Sequence, residues 1–156
     1  MKVPFTAGIF PFIILLMLGC KPNISDRINK EASLSRISKL PENPLEMTPM
    51  AISLQTEAKT MSTLYGNSIA AKRLKDGADY AVGSVLYLVT WKGKADPDWF
   101  GARIPDRVTA LERVSFDQDG QKSYTFFKGP AWDTDLDMKK GERQSFILSI
   151  PIATSP

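Results

Sequence analysis

The chain has 156 residues, with 20 Lys and Arg against 17 Asp and Glu, one Cys and no His. That length suits one ordinary domain with a leader, and 43% apolar content excludes wholesale disorder. The absence of His, with a single Cys, excludes a Ser-His-Asp triad, imidazole-ligated zinc, a thiolate cluster, an internal disulfide and CxxCH haem attachment. A charge of +3 carried by scattered basic residues argues against nucleic-acid binding.

Residues 1–20 (MKVPFTAGIFPFIILLMLGC) open with Lys2 and continue through a charge-free apolar stretch from Ala7 to Leu18. The stretch is short for a bilayer span and is interrupted by Pro11, so it reads as a secretory signal. Met17-Leu18-Gly19-Cys20 resembles the bacterial lipoprotein lipobox. The resemblance implies cleavage after Gly19 and lipidation of Cys20, with acyl chains anchoring the protein to a membrane of the cell envelope, on its periplasmic or surface side. Residues 20–45 are rich in Ser, Asn, Lys and Pro and read as the lipidated Cys and a solvated tether.

The folded domain is expected over 46–156. Met47–Leu54 predicts an edge strand, with Pro49 disfavouring a central position, and Thr60–Gly66 predicts a second strand. Asn67 is a good N-cap for a short helix over 67–77, ending at Gly77. Gly83–Trp91 is almost continuously apolar and predicts a central strand covered on both faces. Val108–Phe116 alternates and pairs with Lys122–Phe127 through the Asp119-Gly120 turn, and 145–152 predicts a last strand. The expected fold is α+β, a mostly antiparallel β-sheet with one short helix packed on it.

Asp96–Pro105 (DPDWFGARIP) sets Trp99, Phe100 and Arg103 in a loop. One reading makes it the rim of a pocket lined by Tyr65, Trp91, Trp99 and Phe100, with the Arg103 fork at its mouth. The other has the aromatics cap the open end of the sheet while Arg103 pairs with Glu112 or an Asp. Asp133-Thr134-Asp135 fails as a calcium loop, because Met138 and Gln144 stand where Gly and Glu are required.

The runs MSTLYGNSIA, YAVGSVLYLVTWK and DPDWFGARIP, with Gly66-Asn67, Ala70, Gly83 and Trp91, resemble the cytochrome P-460 domain family. The resemblance implies a β-rich domain with a hydrophobic cavity and, in the cytochrome members, a c-type haem attached through CxxCH near the C-terminus. Residues 130–156 contain neither Cys nor His, so covalent haem is excluded and no cofactor is expected. The functional expectation is a lipid-anchored module that binds a small molecule; enzymatic activity is left open, with the balance against it because no spacing singles out a catalytic pair. The alternatives are a structural or assembly lipoprotein with an envelope-protein partner, or a protein holding haem non-covalently through Tyr or Met.

Overall fold

A computed structural model of the chain describes residues 29–34, 40–73, 79–128, 133–135 and 140–152. Its frame is an antiparallel meander of six strands in sequence order: β1 (Thr48–Gln55), β2 (Thr60–Gly66), β3 (Val85–Ala95), β4 (Arg103–Phe116), β5 (Lys122–Lys128) and β6 (Asp133–Asp135). Helix α1 (Lys140–Ser149) packs on one face. The class is α+β, as the alternation of apolar and polar residues requires.

The unbroken apolar run of β3 follows from its place between β2 and β4, where both faces are covered. Leu86 and Leu88 point to the helix face, with Leu64, Val114, Tyr124 and Ile147. Tyr87, Val89 and Trp91 point to the opposite face, with Val108, Leu111 and Leu34. Strict alternation along β4 would put Val108 beside Val114. A bulge prevents this: Thr90 pairs with Ala110 but Trp91 with Val108, so the strand gains one residue and Val108 turns to the other face.

The predicted last strand is corrected, because Lys140–Ser149 is helical. Phe146, Leu148 and Ile150 alternate as in a strand, but the preceding Lys-Gly-Glu-Arg-Gln supplies mostly good helix formers, and the winding buries Ile147 completely. Within the predicted helix over 67–77, the described part is a 3-10 turn at Ala70–Lys72, and residues 74–78 with Gly77 lie outside the described residues. Asn67 does more than cap that turn. Its Oδ1 accepts from Ala70 N (2.9 Å) and Val85 N (3.2 Å), while its Nδ2 donates to Gly83 O (2.8 Å). One side chain thus ties the end of β2 to the start of β3.

The expected boundary at residue 46 is also corrected. Leu34 and Pro44 are buried, and the described residues between 29 and 45 cover the face of the sheet opposite α1. Trp91 Nε1 donates to Ala32 O at 2.9 Å. Glu42 receives a two-pronged bond from Arg113, Nε to Oε2 at 3.0 Å and Nη2 to Oε1 at 2.8 Å. Tyr87 OH donates to the same carboxylate at 2.5 Å. The Arg113 hydrogen bonds outweigh burial and hold Glu42 below its ordinary value of 4.5. Burial, then the neighbouring carboxylate, pushes the Tyr87 phenol well above the usual tyrosine range. Cys20 and the leader lie outside the described residues.

Candidate functional site

On the helix face, α1 leaves part of β1–β3 uncovered. The result is a groove of about 580 Å3 whose lining includes Ile52, Leu88, Phe146 and Ile150. Three local features build it. Ser62 and Thr90 stand opposite each other on β2 and β3, and their hydroxyls bond at 2.9 Å. Small polar residues here leave depth where two Leu side chains would fill the space. Arg143 and Phe146 stand one turn apart on α1 and Ile150 follows just past its end, so α1 and its exit supply the other wall.

Arg143 is fixed by a second carboxylate. Its Nε donates to Glu112 Oε1 at 2.9 Å and its Nη2 to Oε2 at 2.6 Å. Tyr124 OH donates to Oε1 at 2.7 Å. The Glu112 side chain is 3% exposed and that of Arg143 is 41% exposed, so the carboxylate sits beneath the wall and the guanidinium forms part of it. The guanidinium also stands over the Phe146 ring, 4.8 Å from its centroid. Burial and the bond to Glu112 push the Tyr124 phenol above its usual range, while the same carboxylate raises Arg143.

The polar side chains at this end of the groove are already partnered to one another. The Ser62–Thr90 bond uses one hydroxyl proton and leaves the other to meet a ligand acceptor. The Arg143 fork is occupied by Glu112, so its charge is neutralised in place. Among the described residues neither hydroxyl bonds to a base, and the one buried carboxylate nearby is fully engaged. An apolar body with one acceptor group matches what the walls offer.

The five pocket candidates from the sequence, Tyr65, Trp91, Trp99, Phe100 and Arg103, do not meet in this groove. Tyr65 and Trp91 pack with the opposite face, beneath the N-terminal segment, because their strand positions point away from α1. Trp99 and Phe100 stand 71% and 110% exposed at the tip of the β3–β4 hairpin. Arg103 folds back and donates to Gly93 O at 2.6 Å, beside a smaller cleft of about 270 Å3 shared with Met61 and Leu54. Glu112, weighed as a partner for Arg103, is bound by Arg143 instead. The reading had missed Ser62, Thr90, Arg143 and Phe146. No local spacing marks them, because Ser62 and Thr90 meet only across strands and Ile150 lies past the end of α1.

No protein-family model matches this chain, and no curated protein matches it either. Covalent haem of the cytochrome P-460 kind needs a CxxCH, which this sequence lacks. The groove offers neither thiol nor imidazole, and the buried Tyr87 and Tyr124 hydroxyls are committed as donors to carboxylates.

Proposed function

We propose that this protein is a membrane-anchored lipoprotein of the bacterial cell envelope that binds a small, largely apolar molecule between α1 and the sheet. The observation that carries this reading is the groove itself. Ile52, Leu88, Phe146, Ile150 and Pro151 give it apolar surface, interleaved with the hydroxyls of Ser53, Thr60, Ser62, Thr90 and Ser149 and with the neutralised Arg143 along its side. We also propose a cytochrome P-460-like domain that has lost covalent haem. Supporting this, the Gly66-Asn67 junction and the Gly83-to-Trp91 run fall at the joint between β2 and the central strand β3. The lipid anchor rests on the lipobox-like Met17–Cys20.

A second reading, an assembly lipoprotein with a protein partner, draws on the edge strand β1. There Ile52 and Leu54 stand 73% and 64% exposed on an unpaired side.

Native mass spectrometry of the detergent-solubilised full chain decides between them, before and after incubation with decanol, an apolar chain with one hydroxyl. We expect a one-to-one adduct with wild type and none with Ser149→Trp, whose indole fills the groove from its rim. Equal adducts in both proteins, or none in either, would overturn the groove reading and favour the edge strand as the working surface.

A further inference from the structure

The β3–β4 hairpin runs past the rest of the sheet. The last pair between β2 and β3 is Thr60 with Lys92, and Gly93 N still donates to Lys59 O at 2.8 Å, after which Lys94 and Ala95 pair with Ile104 and Arg103 of β4. Two residues per strand carry the start of the turn roughly 7 Å further. At its end stand Trp99 and Phe100, the two most exposed aromatic residues among those described. A water-soluble loop gains nothing by showing an indole and a phenyl ring side by side.

The tip is rigidly built. Asp96 Oδ1 accepts from Asp98 N at 2.8 Å and Trp99 N at 3.3 Å, and Ala102 N donates to Trp99 O at 3.1 Å. Asp96 N closes the loop on Ala102 O at 3.0 Å. Gly101 takes φ +80°, a left-handed turn that leaves the preceding ring pointing outward. The rings are therefore held exposed by the backbone, and ordering them on contact costs little.

The path of the chain says what they face. Asn29, the first described residue, donates from Nδ2 to Asp106 O at 2.6 Å and Pro105 O at 3.0 Å, at the root of this hairpin. Only residues 21–28 separate it from Cys20, a reach of at most about 30 Å. The chain thus leaves for Cys20 from the same end of the sheet that carries Trp99 and Phe100.

We infer that the Trp99–Phe100 tip inserts into the interfacial layer of the lipid bilayer and fixes the domain with its hairpin end down. An aromatic pair over a polar collar suits the headgroup boundary, where Trp is favoured. The hairpin end carries Lys94, Arg103 and Arg107 against Asp96, Asp98 and Asp106, with Lys94 and Arg107 paired to Asp106, so charge is balanced and the contact rests on the rings. The orientation rests on the proposed lipidation of Cys20, whereas the aromatic tip stands without it.

The test reconstitutes the full chain in phosphatidylcholine vesicles whose acyl chains carry bromine either near the glycerol end or near the methyl end, and reads tryptophan quenching. The expected result is stronger quenching by the shallow bromine, with most of that amplitude lost in Trp99→Phe and increased in Phe100→Trp. Quenching unchanged by both substitutions overturns the inference. The intact mass of the same membrane-extracted chain tests the anchor separately. Tip quenching in a chain without acyl mass sustains the insertion and removes the anchor, whereas acylated Cys20 with no tip quenching sustains the anchor and removes the insertion.

Discussion

The two faces of the sheet are closed by the same three groups arranged in opposite senses. Beneath α1, the sheet supplies the carboxylate, Glu112, and the covering element supplies the cation, Arg143, with Tyr124 as second donor. Under the N-terminal segment, the sheet supplies the cation, Arg113, and the covering element supplies the carboxylate, Glu42, with Tyr87 as second donor. Glu112 and Arg113 are neighbours on β4 and point to opposite faces, so one dipeptide fastens both covers. The difference lies in which charge is trapped. Glu112 is 3% exposed and cannot reach water while the sheet is intact, whereas Glu42 is 34% exposed and belongs to the piece that can lift away. Removing the Arg143 side chain while α1 stays in place leaves a buried carboxylate short of partners, while losing the N-terminal segment frees its carboxylate into solvent.

The largest effect therefore belongs to Arg143. Arg143→Met removes two charge-assisted bonds and leaves Glu112 with Tyr124 alone. A loss of about 3 kcal/mol is expected in urea unfolding at neutral pH. Adding Glu112→Leu to the same chain should recover most of it, because the cost comes from the stranded charge. A loss under about 1 kcal/mol, or no recovery in the double variant, would remove the asymmetry between the faces.

That asymmetry was only half legible in the sequence. The strands were readable because each buried or half-buried one is marked locally: the β-branched run of β3, the alternation and Asp-Gly turn of β4 and β5, and the Thr60–Gly66 run found again as β2. Helix α1 was not, because Ile147 is its one fully buried residue and no apolar stripe announces it. The N-terminal segment failed for the opposite reason. Its composition is that of a tether, and its burial depends on a few residues, Leu34, Glu42 and Pro44, finding partners far along the chain. The groove exists only once α1 is in place over the sheet. Ser62, Thr90 and Arg143 have no signature apart from each other, whereas the aromatic residues that attracted attention were core, as Trp91 is, or wholly exposed, as Phe100 is.

A smaller effect is expected at Glu42. Its folded pKa lies below the ordinary 4.5, so the stability it contributes is fully present above that value and is lost as pH falls through the lower folded value. With a third of the side chain exposed, solvent screening reduces the contribution to about 1 kcal/mol. Glu42→Gln should lower stability by about that amount at neutral pH. The gap to wild type should narrow as the medium is acidified below about pH 4, in urea titrations run at each pH. A gap that stays constant on acidification would mean that the Glu42 charge has no part in holding the segment.

The smallest effect tests how far the N-terminal cover can loosen without disturbing the sheet. Asn29 Nδ2 reaches the carbonyls of Pro105 and Asp106, and its Oδ1 accepts from Glu31 N at 3.2 Å. These bonds lie near the surface, so Asn29→Ala should change global stability by only about 0.5 kcal/mol. The local change should be larger. Ala32 N donates to Asn29 O at 3.2 Å, within the 3-10 turn that Asn29 caps, and its exchange with solvent should quicken. Amides of β3 such as Val89 should keep their protection, since their bonds lie within the sheet. If protection falls equally at Ala32 and Val89, the N-terminal cover and the sheet open as one unit. Glu42 would then be no more able to leave than Glu112, and the distinction between the two faces would reduce to sequence order.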